Sequence, residues 1–251
     1  LTMEGSSVLS AVTAAKLRRD NGAAGGVSGS RGGKAGMRGE RGSGYGGGDR
    51  VPCVIRWRGG GRTGGRDVNR LTANVDLLRT RIELGGRPRS KGVKFDGTSI
   101  ASLLYGKDKG WPDRVLITDS QRMELLQKWR KSAVMTDRWR LVNQKELYDI
   151  KADPGQAKNI ADQHPDVVKR LQAEYEKWWA GVSARGDEYC NIILGSDNEN
   201  PSRLTSHDWH TGGSMVPWNQ GQVRGGAGGN GFWAVEIDRD GTYEFALRRW
   251  P

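Results

Sequence analysis

The stretch from Asp20 to Pro52 reads DNGAAGGVSGSRGGKAGMRGERGSGYGGGDRVP, and it limits the fold more than any other part of the chain. Glycine at this density loses the most backbone entropy on folding and brings no side chain to bury, so residues 22–48 read as loop. The stretch opens on an acid–amide pair, Asp20-Asn21, followed by a turn glycine, Gly22. It closes on Gly46-Gly47-Gly48-Asp49-Arg50-Val51-Pro52, where an ordinary apolar segment begins. Composition alone reads it as a solvated low-complexity linker. Oxygen ligands beside a flexible basic loop instead suit a hard cation and an oxyanion. The order of the residues, taken together with the segments C-terminal to them, favours this second reading.

The charge points the same way. Residues 1–100 hold 19 Lys+Arg and 8 Asp+Glu, whereas residues 101–251 hold 21 of each, so the whole net charge of +11 sits in the glycine-rich part. Such a field attracts polyanions: nucleic acid, sulfated glycans or acidic membrane surfaces. The plain alternative is a basic solvated face. A Gly/Arg-rich nucleic-acid binder interleaves aromatics with its cations; only Tyr45 lies inside this loop, so no specific nucleic-acid partner is expected. No apolar run reaches the ~20 residues that span a bilayer. Leu1-Thr2-Met3-Glu4 is not a basic n-region leading into an apolar core, so no signal peptide is visible. Cys53 and Cys190 make no CxxC pair; one long-range disulfide and two free thiols are both open.

A chain of 251 residues suffices for one large domain or two small ones. Within residues 1–19, SSVLSAVTAAKLRR suits a short helix with apolar Val8, Leu9, Val12, Ala15 and Leu17. VPCVIRW (51–57) reads as a short buried strand with Pro52 near its start. Residues 67–84 read as a helix on the spacing of Val68, Leu71, Val75, Leu78 and Ile82, stopped by Gly85-Gly86. Residues 97–105 suggest another short helix, and RVLIT (114–118) a strand. AVMTDRWRLV (133–142) looks like two strands about a tight Asp137-Arg138 turn, followed by the strand ELYDI (146–150) and the turn Asp153-Pro154-Gly155. The best helix starts at Pro165, carries a stripe of Val168, Leu171, Tyr175 and Trp178, and ends at Gly181. In the tail, residues 232–237 and 242–250 flank Asp240-Gly241, which predicts a β-hairpin with Trp233, Val235 and Ile237 inward on one strand and Tyr243, Phe245 and Leu247 on the other.

Three tail clusters have a composition that suits chemistry. His207-Asp208-Trp209-His210 has a metal or acid/base composition without a third ligand, so a structural or surface role is favoured. Asp197-Asn198-Glu199-Asn200 is oxygen-rich, and a polar turn is the simpler reading. Trp209, Trp218, Trp233 and Trp250 suit a sugar-stacking platform, but aromatics of a small β unit are usually core. No P-loop is present, and GGGDRVP does not follow a strand and open a helix as a dinucleotide fingerprint does.

Several segments, in this order, resemble the C-terminal half of the sulfatase (arylsulfatase) family, followed by a C-terminal β extension. DNGAAGG (20–26) is similar to its second metal-ligand motif, GERGSGYGGGDRVP (39–52) to its downstream Lys-Gly-x-x-Tyr-Glu-Gly-Gly-x-Arg-x-Pro loop, and FDGTSIASLLYGKDKGWPDR (95–114) to the next segment of the family. Residues 133–179 resemble the terminal part, a small antiparallel sheet with one packing helix. The resemblance covers about residues 20–180.

That resemblance implies an α/β fold: a truncated alkaline-phosphatase-like α/β/α sandwich over 1–125, a small α+β subdomain (antiparallel sheet plus one helix) over 126–185, and a β-rich tail over 190–251. It implies a sulfuric ester hydrolase in which a formylglycine hydrate attacks sulfur beside a calcium (or magnesium) ion. Asp20 and Asn21 match the metal-ligand pair, and Arg41 stands where the family has its sulfate-contacting lysine, with Lys34 and Arg38 as nearby stand-ins. Gly46 replaces the usual Glu and Asp49 often corresponds to a His, while Tyr45, Arg50 and Pro52 keep the pattern as structural residues. No Cys-x-Pro-x-Arg or Ser-x-Pro-x-Arg nucleophile motif occurs, so the chain alone is expected to be inactive and to need the other half of the catalytic domain as its partner. The implied substrate is a sulfate ester, with a sulfated glycan the natural class. The family habit implies a periplasmic or secreted setting. The alternative reading is a non-catalytic binding module for sulfated glycans or other polyanions.

Overall fold

A computed structural model describes residues 14–18, 36–57, 65–88, 92–121, 125–212, 216–217, 219–226 and 228–248. The chain divides into two compact units, one of residues 1–121 and 128–180, the other of residues 122–127 and 181–251.

The first unit is built around a four-stranded antiparallel meander: β3 (Leu116–Thr118), β4 (Ala133–Met135), β5 (Trp139–Val142) and β6 (Glu146–Asp149), in that spatial order. β4 and β5 pair in the register Ala133↔Val142 to Met135↔Arg140. The Asp137-Arg138 turn between them is closed by Thr136, whose hydroxyl accepts from Trp139 N at 2.9 Å. Side chains alternate across a strand, and here both faces are used. Leu141 and Leu147, with Val134, face the helix α4 (Pro165–Val182) and form a fully buried cluster with its Leu171 and Tyr175. Val168, Trp178 and Trp179 pack around that cluster, so the helix stripe read from spacing is the face that docks. Tyr175 is pinned at its polar end, donating to Asp119 at 2.6 Å and accepting from Trp129 N at 2.8 Å. The opposite parity of the sheet, Arg140, Glu146 and Tyr148, bonds to residues of the segment 38–49. That second face positions the candidate site.

The rest of this unit departs from the sequence reading in five places. Ala14–Arg18 is a strand (β1), not part of a helix; it pairs antiparallel with β2 (Cys53–Trp57), Ala14↔Trp57 through Arg18↔Cys53. A five-residue stretch gains more backbone hydrogen bonds from a neighbouring strand than from one uncapped turn. The first part of the expected helix, residues 1–13, lies outside the described residues. The start of β2 is not buried, since Cys53 and Val54 are exposed.

The helix α2 begins only at Asp76 and ends at Leu84. Its position is set by Asp76, whose carboxylate accepts from Ala73 N and Thr98 N, both at 2.8 Å, and pairs with Arg114 Nη1 at 2.9 Å. The inward face is therefore polar: Asp76 and Thr80 are buried, while Val75 and Leu78 of the apolar stripe are exposed. The next helix, α3, is trimmed to Ala101–Leu104, and the end of the glycine loop winds into a turn of helix, α1 (Gly46–Asp49).

The second unit has β7 (Ile192–Leu194), β8 (Val235–Ile237) and the short helix α5 (Gln220–Arg224). The expected hairpin about Asp240-Gly241 does not form. β8 pairs instead in parallel with β7, Ile192↔Val235 to Leu194↔Ile237, and residues 242–248 carry no strand. Phe245 and Leu247, expected inward, are 70% and 92% exposed. A turn dipeptide permits a hairpin, but the second strand must also find a covered face to hold it. Cys53 and Cys190 are both free and exposed. Among the described residues no helix is long and apolar enough to cross a membrane.

Candidate functional site

The candidate site is the loop of residues 36–50. Its C-terminal end is clamped at several points. Gly46 N donates to the side-chain carbonyl of Gln156 at 2.6 Å, and Gly47 N donates to Arg38 O at 2.8 Å. The chain at Gly47 and Gly48 runs against its own earlier turn so closely that a Cβ at either position would lie 2.5 Å from a backbone carbonyl. Only glycine permits this crossing, which is the physical reason for glycine at 47 and 48.

Side chains from the sheet complete the clamp. Arg140, 6% exposed, donates from Nε to Gly44 O at 2.9 Å and pairs through Nη2 with Asp49. Thr118 donates to the same Asp49 oxygen at 3.0 Å, leaving the buried Asp49 Oδ1 without a partner among the described residues. Tyr45 donates to Glu146 at 2.9 Å. Arg38 lies 4.3 Å over the Tyr45 ring and bonds to the Tyr148 hydroxyl at 2.8 Å and to Glu146 at 3.4 Å. Burial first, and then the bond to Glu146, push the Tyr45 phenol up and hold the Tyr148 phenol well above the usual tyrosine range, so both remain neutral donors.

This geometry sorts the sequence candidates. Arg38 is committed to Glu146 and Tyr148. Arg41 sits at the tip of a turn closed by Ser43, whose N–H donates to Glu40 O at 2.9 Å and whose hydroxyl donates to the same oxygen at 2.7 Å. Arg41 is exposed and has no ion-pair partner among the described residues. Its fork of donors is left open to solvent. Asp20, Asn21 and Lys34 lie outside the described residues. Tyr45 has a packing and hydrogen-bonding role, while Arg50 is exposed and, among the described residues, bonds through its backbone N–H to Gly46 O.

Sequence reasoning missed Arg140, Glu146, Tyr148 and Gln156. One signal was available: an arginine inside WRLV, between positions that must be apolar, demands an acceptor. The partners lie about a hundred residues upstream, so they could not be named.

The other clusters resolve simply. Asp208 accepts from Thr205 N at 2.9 Å and Thr205 accepts from His207 N at 3.2 Å, a reciprocal cap on a 3₁₀ turn. Asp197 pairs with Arg239 at 2.5 Å. Among the described residues no group of three His, Cys, Asp or Glu is placed to hold a metal. Of the four tail tryptophans, Trp209 and Trp233 meet edge to face at 5.4 Å; Trp218 and Trp250 lie outside the described residues.

Comparison with known proteins closes the identification. The family model described as N-sulphoglucosamine sulphohydrolase, C-terminal, matches residues 44–180. The chain is 26% identical over 148 residues to the N-acetylgalactosamine-6-O-sulfatase of Bacteroides thetaiotaomicron, a match that covers 51% of this chain and 27% of that protein. It is 32% identical over 119 residues to the extracellular sulfatase SULF-1 homolog of Drosophila melanogaster, covering 44% of this chain and 10% of that protein. A solved Bacteroides thetaiotaomicron structure connected with the metabolism of multiple glycosaminoglycans superposes with a TM-score of 0.53 at 20% identity, over 68% of this chain and 39% of that one. Ps i-CgsB in complex with k-i-k-neocarrahexaose superposes with a TM-score of 0.54 at 21% identity, over 66% and 36%. The chain thus spans well under half the length of these relatives, and its mixed α/β fold matches part of these solved structures. On the match across residues 44–180, which include the C-terminal end of the clamped glycine loop, its sheet and its packing helix, this chain belongs to the sulfatase family.

Proposed function

We infer that this chain is the C-terminal part of a sulfuric ester hydrolase acting on a sulfated glycan. The observation that carries the reading is the family match over residues 44–180, which takes in the end of the loop that presents Arg41. The relatives' names supply the substrate class: one is an N-acetylgalactosamine-6-O-sulfatase, and one neighbour is solved with k-i-k-neocarrahexaose. In this reading residues 1–125 are part of a truncated α/β/α sandwich, residues 126–185 its small α+β subdomain and residues 190–251 a β-rich extension.

A transferring sulfuryl group carries negative charge spread over its oxygens, so fixed positive groups supply most of the stabilisation. Arg41 offers a planar two-pronged donor where a lysine offers a compact one, and Lys34 is the second candidate. Tyr45, Arg140 and Gln156 act on the loop rather than on substrate: they hold the backbone from which Arg41 projects. Asp20 and Asn21 would offer carboxylate and amide oxygens to calcium or magnesium. That cation, when bound, supplies Lewis-acid charge to the ester. A calcium titration by calorimetry is expected to give a binding heat that Asp20→Ala abolishes; an unchanged heat removes Asp20 from the ligand set.

The formylglycine pattern does not occur in these 251 residues, so the chain by itself is expected not to turn over a generic aryl sulfate. Turnover would overturn that expectation. Arg41, exposed and without an ion-pair partner among the described residues, favours a second reading in which this chain binds sulfated polymer without hydrolysis. Both readings predict retention on a heparin column at about 0.1 M NaCl and release by about 0.5 M, as screening shortens the reach of the charges. Arg41→Ala is expected to elute at lower salt. No retention at all would sink the sulfated-glycan reading.

A further inference from the structure

The tail unit gathers three rings at one spot. His210 and Phe232 form an antiparallel bridge, with His210 N donating to Phe232 O at 3.0 Å and Phe232 N to His210 O at 3.1 Å. Gly231 allows the approach, since a Cβ there would lie 2.9 Å from His210 O. The Tyr189 ring packs against the His210 imidazole at 4.3 Å and meets Phe232 edge-on at 5.5 Å. The residue next to this bridge is braced: Trp233 Nε1 donates to Thr205 O at 2.9 Å, and its ring meets Trp209. Despite these mutual contacts Tyr189 and Phe232 remain 50% and 49% exposed. The rings are therefore held in place with half their surface still in water.

We propose that Tyr189, His210 and Phe232 form a saccharide-stacking surface that takes an uncharged pyranose of a glycan chain. The proposal rests on the glycan reading of the function and adds a second contact to it. One face of a pyranose is a patch of C–H groups that lies flat on an aromatic ring, while its hydroxyls need donors and acceptors at the rim. The phenol and the imidazole provide both. The charge decides between a neutral and a sulfated sugar. The tail unit holds 7 Lys+Arg and 10 Asp+Glu, a net −3, against +14 on the other unit. A negative unit disfavours a polyanion, so this surface takes an unsulfated residue. The surface also differs from the tryptophan platform suggested by composition, because Trp209 and Trp233 cover one another.

The test uses the whole chain, titrated with two neutral hexasaccharides, agarohexaose and chitohexaose, and separately with a heparin hexasaccharide. Saturation-transfer NMR is expected to light up the ring C–H protons of a neutral sugar, with binding unchanged by added salt. Tyr189→Ala and Phe232→Ala should each weaken it about tenfold, the size of one lost stacking contact. Tyr189→Phe should stay within about twofold because the ring face is retained. Near-UV circular dichroism checks that the variants are folded; Tyr189 is half exposed, so its truncation spares the fold even where Phe232→Ala does not. Absence of transfer to either neutral sugar, or equal affinity of Tyr189→Ala and Tyr189→Phe, overturns the proposal. Salt-sensitive heparin binding without neutral-sugar binding rejects this surface alone, whereas loss of both rejects the glycan reading with it.

Discussion

Arg140→Met is expected to destabilise the first unit by about 3 kcal/mol, the low end for breaking a buried ion pair by removing one partner. Arg140 ties the sheet to the glycine loop at two points, the Gly44 carbonyl and the Asp49 carboxylate. Methionine fills the volume but leaves Asp49 facing an apolar neighbour, with one carboxylate oxygen already unpartnered among the described residues. The penalty belongs to the stranded charge more than to the lost attraction. The double variant Arg140→Met/Asp49→Leu is therefore expected to recover most of the loss. Urea unfolding followed by tryptophan fluorescence measures both. A shift below about 1 kcal/mol for the single variant, the size of an exposed pair, would mean that solvent reaches the pair. The Arg140 variant should also weaken heparin retention if the clamp is what presents Arg41, so the two measurements together separate a loop effect from a general loss of fold.

The second large effect lies at Asp76. Asp76→Ala should cost about 3–5 kcal/mol, because it strands three donors at once. They are Ala73 N, Thr98 N and the Arg114 guanidinium, which is itself only 10% exposed. Asp76→Asn keeps one oxygen acceptor and loses the charge, and about 2 kcal/mol is expected, in the range for a hydrogen bond to a charged group. Amide hydrogen exchange gives the decisive readout. Protection should fall at Thr98 and along α2 in both variants, more in Ala than in Asn. Equal exchange in wild type and Asp76→Ala would show that α2 starts where it does for another reason. Thr80, whose hydroxyl bonds Asp76 O at 2.6 Å and accepts from Ile100 N at 3.0 Å, is the next residue in that chain of contacts.

Much of the first unit was legible from the chain itself. The β4–β5 turn, the strand β6 and the helix α4 come from patterns that close within a few residues: alternation, a turn dipeptide, a proline at the first helical position. The family was legible for the same reason, since its motifs are short and come in a fixed order. The site was legible only in outline. Arg41 was named as the residue in place of the family's sulfate-contacting lysine, and the structure shows of it only that it sits exposed on a loop turn. Arg38 was named beside it without any sign that Glu146, far along the chain, already occupies it.

What the sequence determined by itself is the set of local elements and the loop character of the glycine-rich stretch. That Gly47 and Gly48 let two stretches of backbone cross closely is visible only in the folded chain. Only the tertiary structure decided which partners use those elements. It moved the start of α2 to Asp76 because a carboxylate met two backbone donors and an arginine from elsewhere. It joined β8 to β7 rather than to residues 242–248. It also tied Gly46 to Gln156 and Asp49 to Arg140 across separations of 110 and 91 residues. Contacts that distant leave no period or spacing in the chain. They are chosen by the desolvation of buried polar groups, each of which must find a partner somewhere in the folded molecule.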